Sequence, residues 1–227
     1  MFGSYFVITG GMERQFINLC RKGDLKGAKE LLKKCPYIRI SVDDEDAFRG
    51  ACYRRYLEMA QWLLSVKPDI NISADNNFAF SYACINGHLE FVKWLLSVKP
   101  DINIYIWDFN IACERGHLEV AKLLLSVKPD IDISYDNNCV FRYTCHSYLY
   151  RADCKYLKVA KWLQTLKPYL YVIEYDDNGN YAGYKIRSKE EAIWERRKYA
   201  LHLALQEKSN LLYHLPIDIA KSVIQFV

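Results

Sequence analysis

The side chains best suited to chemistry in this sequence are its histidines and cysteines. His88 and His117 each follow a glycine in two matching Gly-His-Leu-Glu segments. They are not spaced as metal ligands, nor as a base beside a nucleophile, so a structural role is favoured. Cys145, His146 and Cys154 are three zinc-type ligands, but a fourth is missing and the Cys-x8-Cys spacing is unusual. We therefore expect no bound metal.

No other motif predicts a reaction. The sequence has neither a glycine-rich phosphate loop nor a Gly-x-Ser-x-Gly nucleophile elbow. Its 31 basic and 27 acidic residues give a formal net charge of +4, with the signs interspersed. A duplex-binding protein usually has a concentrated basic face, which this pattern does not predict. We expect a non-enzymatic chain with no cofactor and no nucleic-acid partner.

Hydrophobic patterning gives no indication of a membrane protein. No window approaches the roughly 18 apolar residues that a membrane helix needs. The first residues lack the charged segment and long apolar core of a signal peptide. The sequence therefore predicts a soluble intracellular protein with no membrane partner.

Five of the eight cysteines occupy one repeated position, four residues after a phenylalanine. They are Cys20, Cys52, Cys84, Cys113 and Cys145. A free cysteine packs as a small apolar side chain. The pattern predicts buried thiols in a reducing compartment and no disulfide framework.

The repeated cysteine reveals an internal repeat. Successive copies lie 32, 32, 29 and 32 residues apart, with three residues missing between Pro100 and Cys113 and seven added between Cys145 and Pro168. Such periods indicate stacked helical units that bury their apolar faces against neighbours. The predicted copies are 13–44, 45–76, 77–105, 106–137 and 138–173, preceded by an N-terminal extension over residues 1–12.

The best-preserved copy divides into two short helices. The first is predicted over Phe78–Asn86, with its apolar residues on one face, and Gly87 ends it because glycine tolerates a left-handed backbone. The second is predicted over Leu89–Val98, before the proline at position 100. Asp75-Asn76-Asn77, ahead of the first helix, is turn chemistry. The recurring Trp62, Trp94 and Trp162 of the second helices are interpreted as packing residues.

This pattern resembles the ankyrin repeat. The central motif of that family is matched by Gly87-His88-Leu89-Glu90 and Gly116-His117-Leu118-Glu119, and its closing motif by Asp69-Ile70-Asn71, Asp101-Ile102-Asn103 and Asp130-Ile131-Asp132. The repeat sequence is similar to those of the ankyrin families of giant amoeba-infecting DNA viruses. Over Glu13–Ile173, the resemblance implies an all-α ankyrin-repeat solenoid of about five helix-turn-helix repeats with short extended fingers.

Two departures from the ankyrin pattern bear on stability. The Thr-Pro-Leu-His opening is absent, so aromatic packing must replace its hydrogen bonds. The second copy has Arg55-Tyr56 where the motif has Gly-His. We expect Arg55 in a left-handed conformation, at a cost of about 1 kcal/mol or more, and the second junction to be the loosest.

The resemblance implies a protein-binding function. Ankyrin proteins contact partners through variable residues of the fingers and first helices. By position these are Asp43, Glu45, Asp75, Asn77, Asn86, Trp107, Glu114, Arg115, Tyr135, Asp136 and Asn138. The alternative is that each is a solvated turn residue. The implied protein is a monomeric scaffold that binds a host or viral protein in the host cytoplasm.

Beyond the repeats the sequence predicts three further elements. The insertion 146–154 is expected to lengthen the turn between helices as a partly packed loop. Residues 169–187 form an enlarged finger, a β-hairpin turning at Asn178-Gly179. Ser188 and Glu191 read as a capping box that opens a helix over 189–207. Residues 188–227 are expected to form a C-terminal helical cap.

The tail has a second interpretation. Leu215-Pro216 before an amphipathic helix over Pro216–Phe226 resembles the start of an F-box, which recruits a ubiquitin ligase in poxvirus ankyrin proteins. The resemblance implies a recruiting role for Leu215, Pro216, Ile217, Ile219 and Val223. A substrate adaptor and a simple cap both fit the sequence.

Overall fold

The computed structural model describes the backbone of residues 3–206 and the side chains of residues 11–198, except that of residue 44. The chain divides after Val140 into two compact units. Each unit is described by itself below.

The first unit consists of paired antiparallel helices. In chain order they are α1 (Gly3–Lys22), α2 (Leu25–Lys34), α3 (Val42–Tyr53), α4 (Leu57–Val66), α5 (Ala74–Ile85), α6 (Leu89–Val98), α7 (Ile106–Glu114) and α8 (Leu118–Val127). Odd numbers mark the first helix of each copy, and even numbers the second. Because α1 begins at Gly3, residues 3–12 continue the first repeat and do not form a separate extension.

The first helices pack in sequence along the unit. Helix α1 contacts α3, α3 contacts α5, and α5 contacts α7. The repeated phenylalanines and cysteines lie at these contacts and are buried, as predicted. Burying one phenylalanine side chain contributes about 1.5–3 kcal/mol, so the repeat supplies its own core. Burial also raises the pKa of the Cys20 thiol to about 12.

The tryptophans of the second helices pack against the preceding copy. The Trp62 ring lies 6.1 Å from that of Phe16, and the Trp94 ring 6.3 Å from that of Phe48, measured between ring centroids. The structural interpretation of these two tryptophans is confirmed.

A left-handed turn lies at the start of several first helices. Asp75, Asn76 and Asn77 have φ of 51°, 55° and 63°, and residues 136–138 adopt the same conformation. Asparagine and aspartate tolerate this region better than other side chains. The triplet is the segment missing between Pro100 and Cys113, where helix α7 begins without it. The shortened third finger therefore lacks a left-handed turn.

Left-handed residues also close the first helices. Gly23, Gly87 and Gly116 have φ of 74°, 69° and 80°. Arg55 occupies the same position in the second copy with φ 66°. The predicted left-handed conformation of Arg55 is confirmed.

Helix α9 (Tyr135–Arg151) runs across the division after Val140. The second unit continues with α10 (Cys154–Leu166), β1 (Tyr171–Tyr175), β2 (Tyr181–Ile186) and α11 (Lys189–Gln206). Strands β1 and β2 pair antiparallel, with Tyr171 opposite Ile186. Gly179 has φ 79° in the connecting turn, so the predicted hairpin is confirmed. The ring of Phe141 stacks on that of Tyr171 at 4.2 Å.

The insertion is helical, which corrects the prediction of a loop over residues 146–154. Helix α9 continues to Arg151, and α10 begins at Cys154. Residues 146–151 contain no glycine or proline to end a helix. Ala152, with φ 50°, makes the turn that glycine makes in other copies.

The predicted capping box is present at the start of α11. The Glu191 N–H donates to Ser188 Oγ at 3.1 Å, and the Ser188 N–H donates to Glu191 Oε2 at 2.8 Å. The expected last helix over Pro216–Phe226, with the five recruiting residues named above, lies outside the described residues. Within residues 3–206, no helix combines the length and apolar character required to span a bilayer.

Candidate partner-binding surface

Most of the predicted contact residues are accessible to a partner. Trp107 and Tyr135 are 52% and 54% exposed. The exposed set also includes Asp43, Asp75, Arg115 and Asp136, while Asn86, Glu114 and Asn138 are half-buried.

Two of the predicted contact residues are buried, which corrects their assignment to the binding surface. Glu45 and Asn77 are only 7% and 4% exposed. Glu45 Oε1 accepts the N–H of Asn71 at 3.2 Å, and Asn77 Nδ2 donates to the carbonyl of Asn103 at 3.3 Å. Each is the last residue of a left-handed turn, where the backbone directs it inward to the next finger. Both side chains therefore hold neighbouring fingers together.

Arg49 links the first two fingers. Its guanidinium donates to the Asp75 carboxylate and, at 3.2 Å, to the carbonyl of Asp43. It also lies 5.6 Å from the ring centroid of Phe78. An ion pair therefore joins Asp75 of the second finger to helix α3.

The shortened third finger presents Trp107. Trp107 and Phe78 both lie six residues before the repeated cysteine, so they occupy equivalent positions. The next residue, Asp108, is buried, and its Oδ2 accepts the Tyr105 N–H at 2.9 Å. Burial raises the pKa of Asp108 more than the Ser81 hydroxyl and the Tyr105 N–H lower it. A buried carboxylate thus caps the helix that carries Trp107.

Aromatic side chains cluster on the exposed side of α3 and α5. The ring of Tyr82 lies 4.3 Å from that of Tyr53 and 5.1 Å from that of Phe78, between centroids. The Arg54 guanidinium lies 5.3 Å from the ring centroid of Tyr53. Arg115 completes this group. We call Tyr53, Arg54, Phe78, Tyr82 and Arg115 the Tyr–Arg patch.

The Tyr82 hydroxyl of the Tyr–Arg patch is influenced by Tyr53 and by both arginines. A hydrogen bond with Tyr53 and burial raise the pKa of Tyr82, while the positive charges of Arg115 and Arg54 lower it. Both guanidiniums therefore act on one hydroxyl. Sequence reasoning selected only Arg115 from this patch. The repeat register contained a further indication, because Arg54, Asn86 and Arg115 each lie two residues after the repeated cysteine.

Comparison with known proteins agrees with this architecture. Residues 16–106 match a family model described as ankyrin repeats, in 3 copies. Ankyrin repeats are therefore found over residues 16–106. Ankyrin repeats generally mediate protein–protein interaction and are typically non-enzymatic scaffolds. No curated protein matches the chain. The resemblance to viral ankyrin families stays a prediction.

The ankyrin motif histidines join neighbouring copies unequally. His117 Nε2 lies 3.1 Å from the carbonyl oxygen of Ile85, which ties the fourth copy to the third. The buried Nδ1 of His88 has no hydrogen-bond partner within the described part of the chain. Burial, Arg55 and His117 lower the pKa of His88, in that order. The second junction therefore lacks both its glycine and a satisfied histidine.

The thiols considered as zinc ligands lie in different surroundings. Cys145 is buried, and burial raises the pKa of its thiol to about 12, whereas Cys154 is exposed. Across the described residues of the ankyrin chain, no group of three or more His, Cys, Asp or Glu side chains converges as metal ligands do.

Proposed function

We propose that this chain is a non-enzymatic ankyrin scaffold that binds a partner protein through exposed residues of its fingers and first helices. The observation that carries the proposal is the exposure of Trp107 and Tyr135 on the third and fourth fingers. Tryptophan, tyrosine and arginine are the side chains that most often dominate binding energy at protein interfaces. Arg115 extends the same surface on α7.

The order of the fingers supports this proposal. Three side chains each form a hydrogen bond to the next finger, namely those of Arg49, Glu45 and Asn77. Side chains held in place before binding lose less conformational entropy when a partner docks. Such a surface favours a specific partner over loose association.

The proposal includes an intracellular setting and a monomeric chain that acts on a host or viral protein. Five cysteines are buried thiols in the core position of the repeat, namely Cys20, Cys52, Cys84, Cys113 and Cys145. Buried thiols in a repeated core position suit a reducing compartment. The viral origin rests on the resemblance of the repeat sequence alone.

Affinity capture from a lysate of the native cells tests the binding surface. The test variant is Trp107→Ala with Tyr135→Ala, and the matched control is Lys93→Ala with Lys122→Ala on the exposed sides of α6 and α8. Losing two interface aromatics costs about 2 kcal/mol or more, which is roughly 30-fold in affinity. We expect the test variant to lose its partner and the control to retain it. Identical partner sets for the two variants would contradict the finger assignment.

The second candidate function is a ubiquitin-ligase substrate adaptor, favoured by the Leu215-Pro216 pattern of the tail. Deleting residues 211–227 separates it from a cap. An adaptor lacking this segment keeps its melting temperature and loses the ligase subunit in the capture experiment. A scaffold lacking its cap melts at a lower temperature and exposes apolar surface.

A further inference from the structure

Three arginines of the first unit are paired with carboxylates of the chain itself. Arg21 Nη2 donates to both carboxylate oxygens of Asp46, at 2.8 and 2.7 Å. Arg49 pairs with Asp75, and Arg39 pairs with Glu13 at 2.7 Å. The first helices thus supply acidic partners where an arginine serves the fold.

Arg54 and Arg115 differ from these arginines. Both are exposed, and neither has an ion pair to any residue between 11 and 198 whose side chain is described. Burial raises the pKa of the neighbouring Glu114 carboxyl and Arg115 lowers it, but the two side chains form no salt bridge within 4 Å. Both guanidiniums therefore keep hydrogen-bond donors for an external carboxylate.

The tyrosines between the two arginines supply the rest of a recognition site. The packed rings of Tyr53 and Tyr82 keep their hydroxyls beside the guanidiniums, and a phenol hydroxyl can donate to a carboxylate. Guanidinium groups bind carboxylates through two parallel hydrogen bonds with more specificity than a point charge. The faces of Tyr53 and Phe78 add apolar contact area next to this charge.

We propose that the Tyr–Arg patch binds an acidic linear segment of the partner protein, with Asp or Glu carboxylates on Arg54 and Arg115. A neighbouring apolar side chain of that segment packs on Tyr53 and Phe78. Charge complementarity identifies the occupant, because Arg54 and Arg115 are exposed and form no ion pair among the described residues. This inference rests on the proposed scaffold function and names the chemistry of its partner.

Selection of random 12-residue peptides displayed on phage, with the full-length chain as bait, tests the proposal. We expect the selected peptides to be enriched in Asp and Glu and to bind more weakly as salt is raised. Synthetic copies should lose at least tenfold in affinity for Arg54→Gln with Arg115→Gln. The matched control, Lys93→Gln with Lys122→Gln, removes the same charge from two exposed ion pairs and should leave affinity unchanged.

Three outcomes would overturn the proposal. Peptides with no acidic enrichment would do so, as would peptides bound equally by the arginine variant when its circular dichroism and melting temperature match wild type. A phosphoserine peptide that binds when its glutamate counterpart does not would indicate phosphate recognition instead. In each of these three cases, the scaffold function still stands if capture of the partner depends on Trp107 and Tyr135. Only the acidic-segment inference then fails.

Discussion

Arg55 shows how one residue limits the stability of a repeat junction. It holds φ 66° where the other copies have glycine. A left-handed backbone costs a non-glycine residue about 1–2 kcal/mol, part of which the greater freedom of unfolded glycine offsets. We expect Arg55→Gly to raise the free energy of unfolding by about 0.5–1 kcal/mol in urea denaturation. The control Arg54→Gly, at φ −90°, should lower it, and a less stable Arg55→Gly variant would contradict the account.

His88 provides a pH-dependent test of the same junction. Burial, Arg55 and His117 lower its pKa below the ordinary value of 6.5. The unfolded chain therefore takes up this proton first, so the histidine's contribution to stability is present above pH 6.5 and is lost as pH falls below it. NMR titration should show the His88 pKa moving towards 6.5 in Arg55→Gly. An unchanged value would show that Arg55 has no effect on it.

Residue-scale prediction from sequence succeeded where one backbone position decides the outcome. The left-handed Arg55 followed from its register with glycine, and the buried cysteines followed from their recurrence. The burial of Glu45 and Asn77 did not follow, because consecutive acidic and amide residues look alike in a turn. Only the left-handed backbone determines which of them points inward.

The element that most distinguishes this chain is the left-handed turn at the start of α5. Asn76 is exposed at its centre with φ 55°, so changes there test the backbone with little loss of packing. A β-branched residue is strained in this region, and Asn76→Val should lower the free energy of unfolding by about 1–2 kcal/mol. Asn76→Gly should change it by less than about 0.5 kcal/mol. Equal urea midpoints for the two variants would contradict a left-handed backbone at Asn76.

Helix α7 replaces that turn with a buried cap, and the cap should titrate. Because burial raises the pKa of Asp108, its ionised form costs stability, and the cost grows as pH rises through the folded-state pKa. Asp108→Asn should therefore gain stability relative to wild type between pH 4 and 7. Asp101→Asn is the control: Lys99 lowers the pKa of Asp101, so the relative stability of this variant should fall as pH rises towards 3.8 and stay level above it. The same trend in both variants would contradict the assignment.

At the element scale the helices and hairpin were predictable, but the insertion was not. The second helix over Leu89–Val98 and the strands around Gly179 follow from glycine, proline and apolar spacing. Residues 146–154 were misassigned because a longer turn and a longer helix add the same number of residues. Their lack of glycine and proline was the available indication.

At the scale of the whole molecule, the repeat spreads the binding surface over several copies. The Tyr–Arg patch takes side chains from α3, α5 and α7, while Trp107 and Tyr135 come from two fingers. Repeat register shows which residues share a face. It does not show which arginines are already paired, because the carboxylate that pairs with Arg21 is on Asp46, in another copy.

Site-specific photocrosslinking tests the central claim, that a partner protein docks on the fingers and first helices. A photoreactive amino acid replaces Trp107 in one variant and Glu119, on the exposed side of α8, in another. After illumination in the native cells, denaturing gels detect covalent adducts of the chain. The account predicts a discrete adduct from position 107 and none from position 119. The same adducts from both positions, or an adduct only from position 119, would contradict it.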